Sequence, residues 1–143
     1  RPVELQPNIA VICLPGTNDR LTDYDGWISG WGTLKEGKSS SAPEDLRKAR
    51  IPVISNAKCS SLFRTAGRDE KIKDVMLCAG FSSGSWRPDT CQGDSGGPFQ
   101  IQTAKGRWVL AGIVSWGIGC GGDLPGVYTR VSKFVPWILE HIS

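Results

Sequence analysis

The chain has 143 residues, of which 39% are hydrophobic and 22% charged, and its formal net charge is only +3. A chain of this length forms one domain or part of a larger one, and its longest apolar runs, 9–14 and 109–114, are far too short to span a bilayer. Basic and acidic residues are interspersed in the densest charged stretch, 64–74, which is typical of a solvated loop rather than a nucleic-acid-binding face.

The predicted elements are mostly short strands, because 18 Gly and nine Pro divide the chain into short segments. Segment 26–32 is predicted to be a strand that ends in a turn, and segment 34–45, rich in Lys, Gly, Ser and Pro, an exposed loop. Further strands are predicted over 47–54, 75–79, 98–102, 107–116 and 126–130.

Two short helices are predicted besides the strands. Ser55 and Asn56 are expected to cap a helix that continues to Phe63. In the tail, apolar residues recur every three or four positions behind Ser132, the expected N-cap, and Pro136 falls in or next to the first turn. Many short strands with one closing helix predict an all-β fold, an antiparallel barrel.

A serine lies between glycines in segment 91–98, Cys-Gln-Gly-Asp-Ser-Gly-Gly-Pro. Glycines let the backbone turn sharply and bring two N–H groups to one point. Those groups can hold the oxyanion that forms when a serine oxygen attacks a carbonyl. The motif therefore predicts acyl transfer with Ser95 as the nucleophile.

The same serine also fits the five-residue nucleophile elbow of α/β-hydrolases, with Asp123 and His141 following in the required order. Such an elbow leads from a strand into a helix. Here two glycines and a proline follow Ser95, and the alternation after them is typical of a strand. The chain also lacks the repeated βα units of that fold, so we disfavour this alternative.

The cysteines indicate an oxidising compartment. Five Cys without a Cys-x-x-Cys pair, and only one His, argue against a metal site and fit disulfides. The odd number leaves one Cys over, and the spacing alone does not assign the pairs. We expect neither a metal nor another cofactor.

The serine motif is accompanied by four further motifs in a fixed order, and together they resemble the C-terminal half of a trypsin-like (chymotrypsin-fold) serine protease over essentially the whole chain. These motifs are Gly-Trp-Gly at 30–32, Met-Leu-Cys-Ala-Gly at 76–80, Val-Ser-Trp-Gly at 114–117 and Pro-Gly-Val-Tyr-Thr-Arg at 125–130. Segments 55–59 and 132–141 are most similar to arthropod multidomain trypsins of the Stubble type. The resemblance implies that residues 1–143 form the second, Greek-key barrel of six strands with a C-terminal α-helix.

The resemblance also implies catalytic roles. Ser95 matches the nucleophile, and the N–H groups of Gly93 and Ser95 match the oxyanion hole. Asp94 matches the acid that pairs with a new N-terminal amine after zymogen cleavage.

A pocket for a basic side chain is implied as well. Asp89 matches the acid at its base, which favours a substrate Arg or Lys, while Gly117 and Gly126 match walls that leave room for a long side chain. Segment 115–117 matches the edge that pairs with the substrate backbone. The other implied substrate-binding positions are Thr90, Ser115, Trp116 and Gly119.

By the same resemblance, Cys59 pairs with Cys78 and Cys91 with Cys120. Cys13 is then left over, and in relatives a Cys here bridges to an upstream regulatory segment. A free buried thiol is the alternative for Cys13.

The chain departs from the family pattern in a few places. Many members carry a further disulfide linking the neighbourhoods of Gly26 and Ile101, and both of its cysteines are absent here. Segment 81–88 is slightly longer, and 120–126 slightly shorter, than in digestive trypsins, so selectivity at extended subsites does not carry over. Pro125 stands where sodium-activated relatives have Tyr, so we expect no sodium effect.

The family's catalytic His and Asp both precede the serine, yet residues 1–94 contain no His. The only one, His141, is expected to face solvent or to pack against the barrel. Because the chain begins with Arg1 rather than Met, we expect it to be a piece of a longer product whose N-terminal barrel carries the base. Without a base Ser95 stays a weak nucleophile, so the fragment alone is expected to be inactive.

The expected function of the intact protein is that of an extracellular endopeptidase that cleaves after Arg or Lys, secreted or part of a membrane-anchored ectodomain. Its expected partners are protein or peptide substrates, the upstream barrel and regulatory segment, and protein inhibitors, with no nucleic acid. The alternative is a catalytically dead homologue that serves as a binding or regulatory module. The retention of Ser95, Gly93 and Asp89 argues against it.

Overall fold

Six antiparallel strands close into a barrel in the computed structural model, which describes residues 2–80 and 89–142. Around the barrel the order is β1-β2-β3-β6-β5-β4, and β4 pairs back onto β1. This confirms the predicted all-β fold. The strands are β1 (Asp25–Gly30), β2 (Arg47–Ile54), β3 (Met76–Ala79), β4 (Pro98–Gln102), β5 (Trp108–Trp116) and β6 (Gly126–Arg130).

Strand boundaries agree with the predicted ranges for β2, β4 and β6 and differ by one or two residues for the others. The first strand ends at Gly30 rather than at Gly32. Its continuation turns toward the serine motif, because the Gly32 N–H donates a hydrogen bond to a carboxylate oxygen of Asp94 at 2.9 Å instead of to a neighbouring strand.

The first helix, α1 (Asn56–Thr65), begins where the sequence predicts. The Ser55 hydroxyl accepts a hydrogen bond from the Lys58 N–H at 3.1 Å, which satisfies one of the free donors of the first turn. The helix runs two residues beyond the predicted Phe63, and the chain leaves it through Gly67, whose φ of +74° a side chain would disfavour.

The tail helix, α2 (Val135–Ile142), is present, but the prediction that Ser132 caps it is wrong. Ser132 lies in a 3₁₀ turn, Val131–Lys133, and is only 3% exposed. Val131, the first residue of this turn, is buried as well. Within the described ranges, neither helix is long and apolar enough to cross a bilayer.

The barrel interior is filled by the inward-facing residues of the strands, with Phe99 and Tyr128 at its centre. Their ring centroids are 4.9 Å apart. Gly26 pairs with Ile101 across β1 and β4, and a Cβ at Gly26 would overlap the Phe99 ring. The ring therefore occupies the space that a side chain at position 26 would need.

A second apolar cluster lies under α1. The disulfide between Cys59 and Cys78 joins α1 to β3, and the Phe63 ring packs 5.6 Å from that of Trp116. Trp116 is thus held from behind by the core, with only part of its surface exposed. This packing fixes the end of β5, where the candidate site begins.

Candidate active site

Ser95 lies exposed in a double turn, 91–97, that leads directly into β4. Gly93 and Gly96 have φ of +98° and +81°, a region that residues with side chains rarely adopt. The Asp94 N–H donates to the Cys91 carbonyl at 3.0 Å and closes the first turn. The glycines around the serine are therefore required by the backbone geometry.

The double turn is hydrogen-bonded to the end of β5. The Gly96 N–H donates to the Val114 carbonyl at 2.9 Å, and the Val114 N–H donates to the Gly97 carbonyl at 2.9 Å. Segment 115–117 follows at once, with Ser115 and Gly117 exposed. The predicted nucleophile and the predicted substrate-binding edge are thus next to each other.

The Asp94 side chain lies against Gly30 and Gly32 and does not share the exposed position of Ser95. One carboxylate oxygen accepts a hydrogen bond from the Gly32 N–H and the other from the Cys91 N–H, each at 2.9 Å. A Cβ at either Gly30 or Gly32 would overlap this carboxylate. The two glycines of the Gly-Trp-Gly motif therefore leave the space that the Asp94 side chain occupies.

A cleft of about 540 Å³ opens beside Asp94. The ends of β1 and β2 line one side, and Asp89, Asp94 and the disulfide between Cys91 and Cys120 line the other. Two carboxylates therefore border a single space large enough for several side-chain groups.

Asp89 is held by two backbone donors. Its Oδ1 accepts from the Thr90 N–H at 2.8 Å and its Oδ2 from the Gly121 N–H at 3.1 Å. Burial raises the pKa of Asp89, the hydrogen bonds from Gly121 and Thr90 oppose that rise, and the charge of Asp94 adds to it. Within residues 2–80 and 89–142, no Lys or Arg contributes to the pKa shift of this carboxylate.

Gly126 lies against Asp89, and Gly117 lies beside Gly126. A Cβ at Gly126 would lie 3.0 Å from the Asp89 Oδ1, and a Cβ at Gly117 would lie 3.9 Å from the Gly126 Cα. The structure therefore brings Asp89, Gly117 and Gly126 close together, although they come from three separate parts of the sequence.

Tyr128 is a site residue that the sequence analysis missed. It is fully buried, and its hydroxyl would lie 3.2 Å from a Cβ at Gly126, next to Asp89. The Thr90 side chain approaches this hydroxyl closely enough to lower its pKa, against the larger effect of burial, which raises it. No hydrogen bond of ordinary geometry links the hydroxyl to any described residue. Strand alternation could have indicated it, because residues 126 and 128 face the same side of β6.

Both implied disulfides are present, between Cys59 and Cys78 and between Cys91 and Cys120. The second joins the serine turn to segment 119–121, in which Gly119 has a φ of +75°. Cys13 is exposed and has no disulfide partner among the described residues, so the alternative of a free buried thiol is wrong in the burial that it predicts.

His141 is exposed near the end of α2 and contacts Trp137 of the same helix. Its Nδ1 is 2.8 Å from the Trp137 carbonyl oxygen, and its ring packs 4.4 Å from the Trp137 ring. Because Ser95 leads into a strand rather than a helix, the α/β-hydrolase alternative is wrong. Over 2–80 and 89–142, no group of three or more His, Cys, Asp or Glu is placed to hold a metal ion.

Comparison with known proteins places these features in a family context. Residues 1–138 match the family model described as Trypsin. Over 143 residues the chain is 50% identical to "Serine proteinase stubble" of Drosophila melanogaster, covering 99% of this chain and 18% of that protein. It is 41% identical to "Serine protease filzig" of Drosophila melanogaster, covering 96% of this chain and 8% of that protein. It is 42% identical to "Transmembrane protease serine 7" of Rattus norvegicus, covering 99% of this chain and 16% of that protein. The chain thus spans less than a fifth of each of these relatives.

Proposed function

This chain belongs to the trypsin family of serine proteases, and from that premise we propose that it carries the nucleophile, oxyanion hole and specificity pocket of an endopeptidase that cleaves after Arg or Lys. One observation carries the proposal. The partly buried Asp89 carboxylate adjoins Gly126, which lies beside Gly117, and the exposed Ser95 belongs to a turn that is hydrogen-bonded to the end of β5.

In the proposed reaction the Ser95 hydroxyl oxygen attacks the carbonyl carbon of the scissile bond while a general base takes its proton. The N–H groups of Gly93 and Ser95 donate to the oxyanion of the tetrahedral intermediate. The protonated base then donates to the leaving amine, and water hydrolyses the acyl-enzyme by the reverse set of transfers. The left-handed backbone at Gly93 supports this role, because it can turn both N–H groups to one side.

Recognition of a basic side chain follows from the pocket's chemistry. A guanidinium or ammonium group would give Asp89 a cationic partner, which the described residues do not supply, in a place where water screens the pair poorly. The Tyr128 hydroxyl, which has no hydrogen bond of ordinary geometry within the described residues, offers a further polar contact at the same depth. A side chain at Gly117 or Gly126 would take up the space that the substrate's methylene groups need.

Backbone recognition is assigned to segment 115–117, with Thr90 and Gly119 beside it. Ser115 and Gly117 are exposed at the end of β5, so their peptide groups are accessible to an added strand. Such pairing would orient the substrate without selecting its side chains.

Asp94 is proposed to hold the new N-terminal amine that zymogen cleavage creates. Two backbone N–H groups leave lone pairs on its carboxylate, and the cleft of about 540 Å³ gives an amine access to them. An ammonium group there would lock the turn that carries Ser95, because the same carboxylate already binds the Cys91 N–H.

The general base and its aspartate are proposed to come from an N-terminal barrel outside these 143 residues. The chain's single His contacts its own helix and not the serine turn. We therefore propose that residues 1–143 form the C-terminal portion of the peptidase domain and have no useful activity alone.

Location and partners belong to the same proposal. Two disulfides favour an oxidising, extracellular compartment, either as a secreted protein or as the ectodomain of a membrane-anchored one. Trypsin-like proteases act on protein substrates. An upstream segment bound through Cys13 and protein inhibitors are proposed partners.

The specificity claim is tested with the intact protease and matched peptides that carry Arg, Lys or Ala before the scissile bond. We expect kcat/KM to be much higher for Arg and Lys than for Ala. In an Asp89→Ser variant the value for Arg should fall at least about 30-fold, since loss of one partner of a desolvated charge pair costs about 2–5 kcal/mol. Equal cleavage of all three peptides by the unaltered enzyme would refute the specificity.

A further inference from the structure

The loop between β1 and β2 is tied to the rim of the candidate pocket. We call residues 33–41 the rim loop. The Thr33 N–H donates to the Gln92 carbonyl at 2.8 Å, and the Thr33 hydroxyl donates to the Gln92 side-chain oxygen at 3.1 Å. At its other end the loop closes on Ser41, whose carbonyl accepts from the Leu34 N–H at 3.2 Å and whose hydroxyl accepts from the Lys35 N–H at 3.0 Å.

These bonds place Glu36 against Gly119. A Cβ at Gly119 would lie 3.2 Å from the Glu36 Oε2, and the three atoms nearest to that point all belong to the Glu36 carboxyl group. Two residues further along, the Gly121 N–H donates to Asp89. Segment 119–121 therefore has one carboxylate near each end, Asp89 within the pocket and Glu36 at its outer edge.

We propose that Glu36 is a specificity-determining residue that selects substrates with a second basic residue close to the cleaved Arg or Lys. The inference rests on the proposed function, since it concerns the rim of the same pocket. Asp89 pairs with the first basic side chain, and Glu36 attracts the second at the surface.

The charges of the rim loop determine how strongly Glu36 attracts a second basic side chain. Glu36 is exposed, and two exposed cations, Lys35 and Lys38, belong to the same loop and weaken its field. An exposed ion pair of this kind changes an affinity about two- to five-fold. The anchoring at Thr33 and Ser41 supports a measurable effect, because it restricts the backbone that carries Glu36 before a substrate binds.

The test compares peptides that share one Arg before the scissile bond and carry either Arg or Gln at each neighbouring position. The intact protease should prefer the peptides with two basic residues. The Glu36→Gln variant should lose about two- to five-fold of that preference, with kcat/KM for the single-Arg peptides unchanged. Glu44→Gln is the matched control, because it removes the same charge from the β1–β2 connection but not from the atoms nearest Gly119.

Salt gives an independent readout. Raising the ionic strength to about 1 M should reduce the preference of the unaltered enzyme and leave that of Glu36→Gln unchanged. An active enzyme without the preference, or one that keeps it after Glu36→Gln, overturns the inference alone. Failure of the unaltered enzyme to cleave any Arg peptide overturns the proposed function, and this inference with it.

Discussion

Asp89 is a residue whose burial is unfavourable for the fold at neutral pH and which the proposed function assigns to substrate binding. Burial raises the pKa of its carboxyl group, and the N–H groups of Gly121 and Thr90 offset only part of that effect. A group whose pKa is higher in the folded than in the unfolded state contributes most stability below its ordinary pKa. That contribution is lost as the pH rises through the raised value. At neutral pH the ionised carboxylate is thus kept at a cost in stability, in the place where a cationic substrate would compensate it.

The raised pKa leads to a prediction for the binding of an arylguanidine to the intact protease. Above that pKa the ionised Asp89 binds the cation, and as the pH falls through it a proton competes and the dissociation constant rises. The weakening should begin at a higher pH than for an ordinary aspartate. Calorimetric titration between about pH 4 and about pH 8 measures this. The Asp89→Asn variant should bind weakly with no such dependence, and constant affinity of the unaltered enzyme over the range would contradict the prediction.

For single residues, the sequence indicates the candidate site where its members are adjacent and not where packing brings them together. Ser95 and its glycines form a continuous motif, so the sequence alone suggests a role for them. Tyr128 and Glu36 belong to no such motif, and they approach the candidate site only through the register of β6 and the closure of the rim loop.

Among the elements, the contact between β1 and β4 is the most constrained. Gly26 leaves space that the Phe99 ring fills, and the Tyr128 ring supports Phe99 at 4.9 Å. Neither ring can move aside for a side chain at position 26, because both rings are fully buried. Near Gly26 and Ile101 this chain has the packed rings of Phe99 and Tyr128 and no Cys.

The Gly26→Ala variant is therefore expected to be destabilised by about 1–3 kcal/mol through overpacking. Combining it with Phe99→Val should cost less than the sum of the two single changes, because the smaller side chain makes room for the methyl group. Urea unfolding of the unaltered protein, the two single variants and the double variant measures the coupling between positions 26 and 99. Gly122→Ala is the control, since its Cβ would meet only the Ile118 carbonyl oxygen at 3.8 Å. Full additivity would show that Phe99 does not limit position 26.

The sequence predicts helices and strands correctly where residues close together in the chain determine them. It fails where a contact with a distant residue determines where an element begins or ends. Ser55 caps α1 as expected because the bond spans three residues. The chain after β1 binds Asp94, more than sixty residues away, and Ser132 lies in a 3₁₀ turn in which Val131 is also buried. No pattern in the neighbouring sequence predicts either of these two features.

At the scale of the whole molecule, apolar side chains remain exposed on α2 and on the N-terminal segment. Trp137 is 58% and Ile142 70% exposed, and Val3 and Leu5 are similarly open. Exposed apolar side chains of this size are typical of a surface that another domain or protein covers. The proposed N-terminal barrel is a suitable cover, since it would also bring the general base to Ser95.

The isolated chain of 143 residues is accordingly expected to self-associate and to show no peptidase activity. Sedimentation velocity at increasing concentration should reveal oligomers, and Trp137→Gln should reduce them. Trp31→Gln, which removes an equally exposed Trp from a loop, serves as the control. A monomeric chain that cleaves Arg peptides would contradict the assignment of the base to another barrel.

Labelling of the intact protease with an organophosphonate, followed by peptide mass spectrometry, tests the central claim that Ser95 is the catalytic nucleophile most directly. We expect a single adduct on Ser95, parallel loss of cleavage after Arg, and at least about 10³-fold lower kcat without an adduct in Ser95→Ala. An adduct on another residue, or a Ser95→Ala variant that still cleaves at the original rate, would contradict the claim.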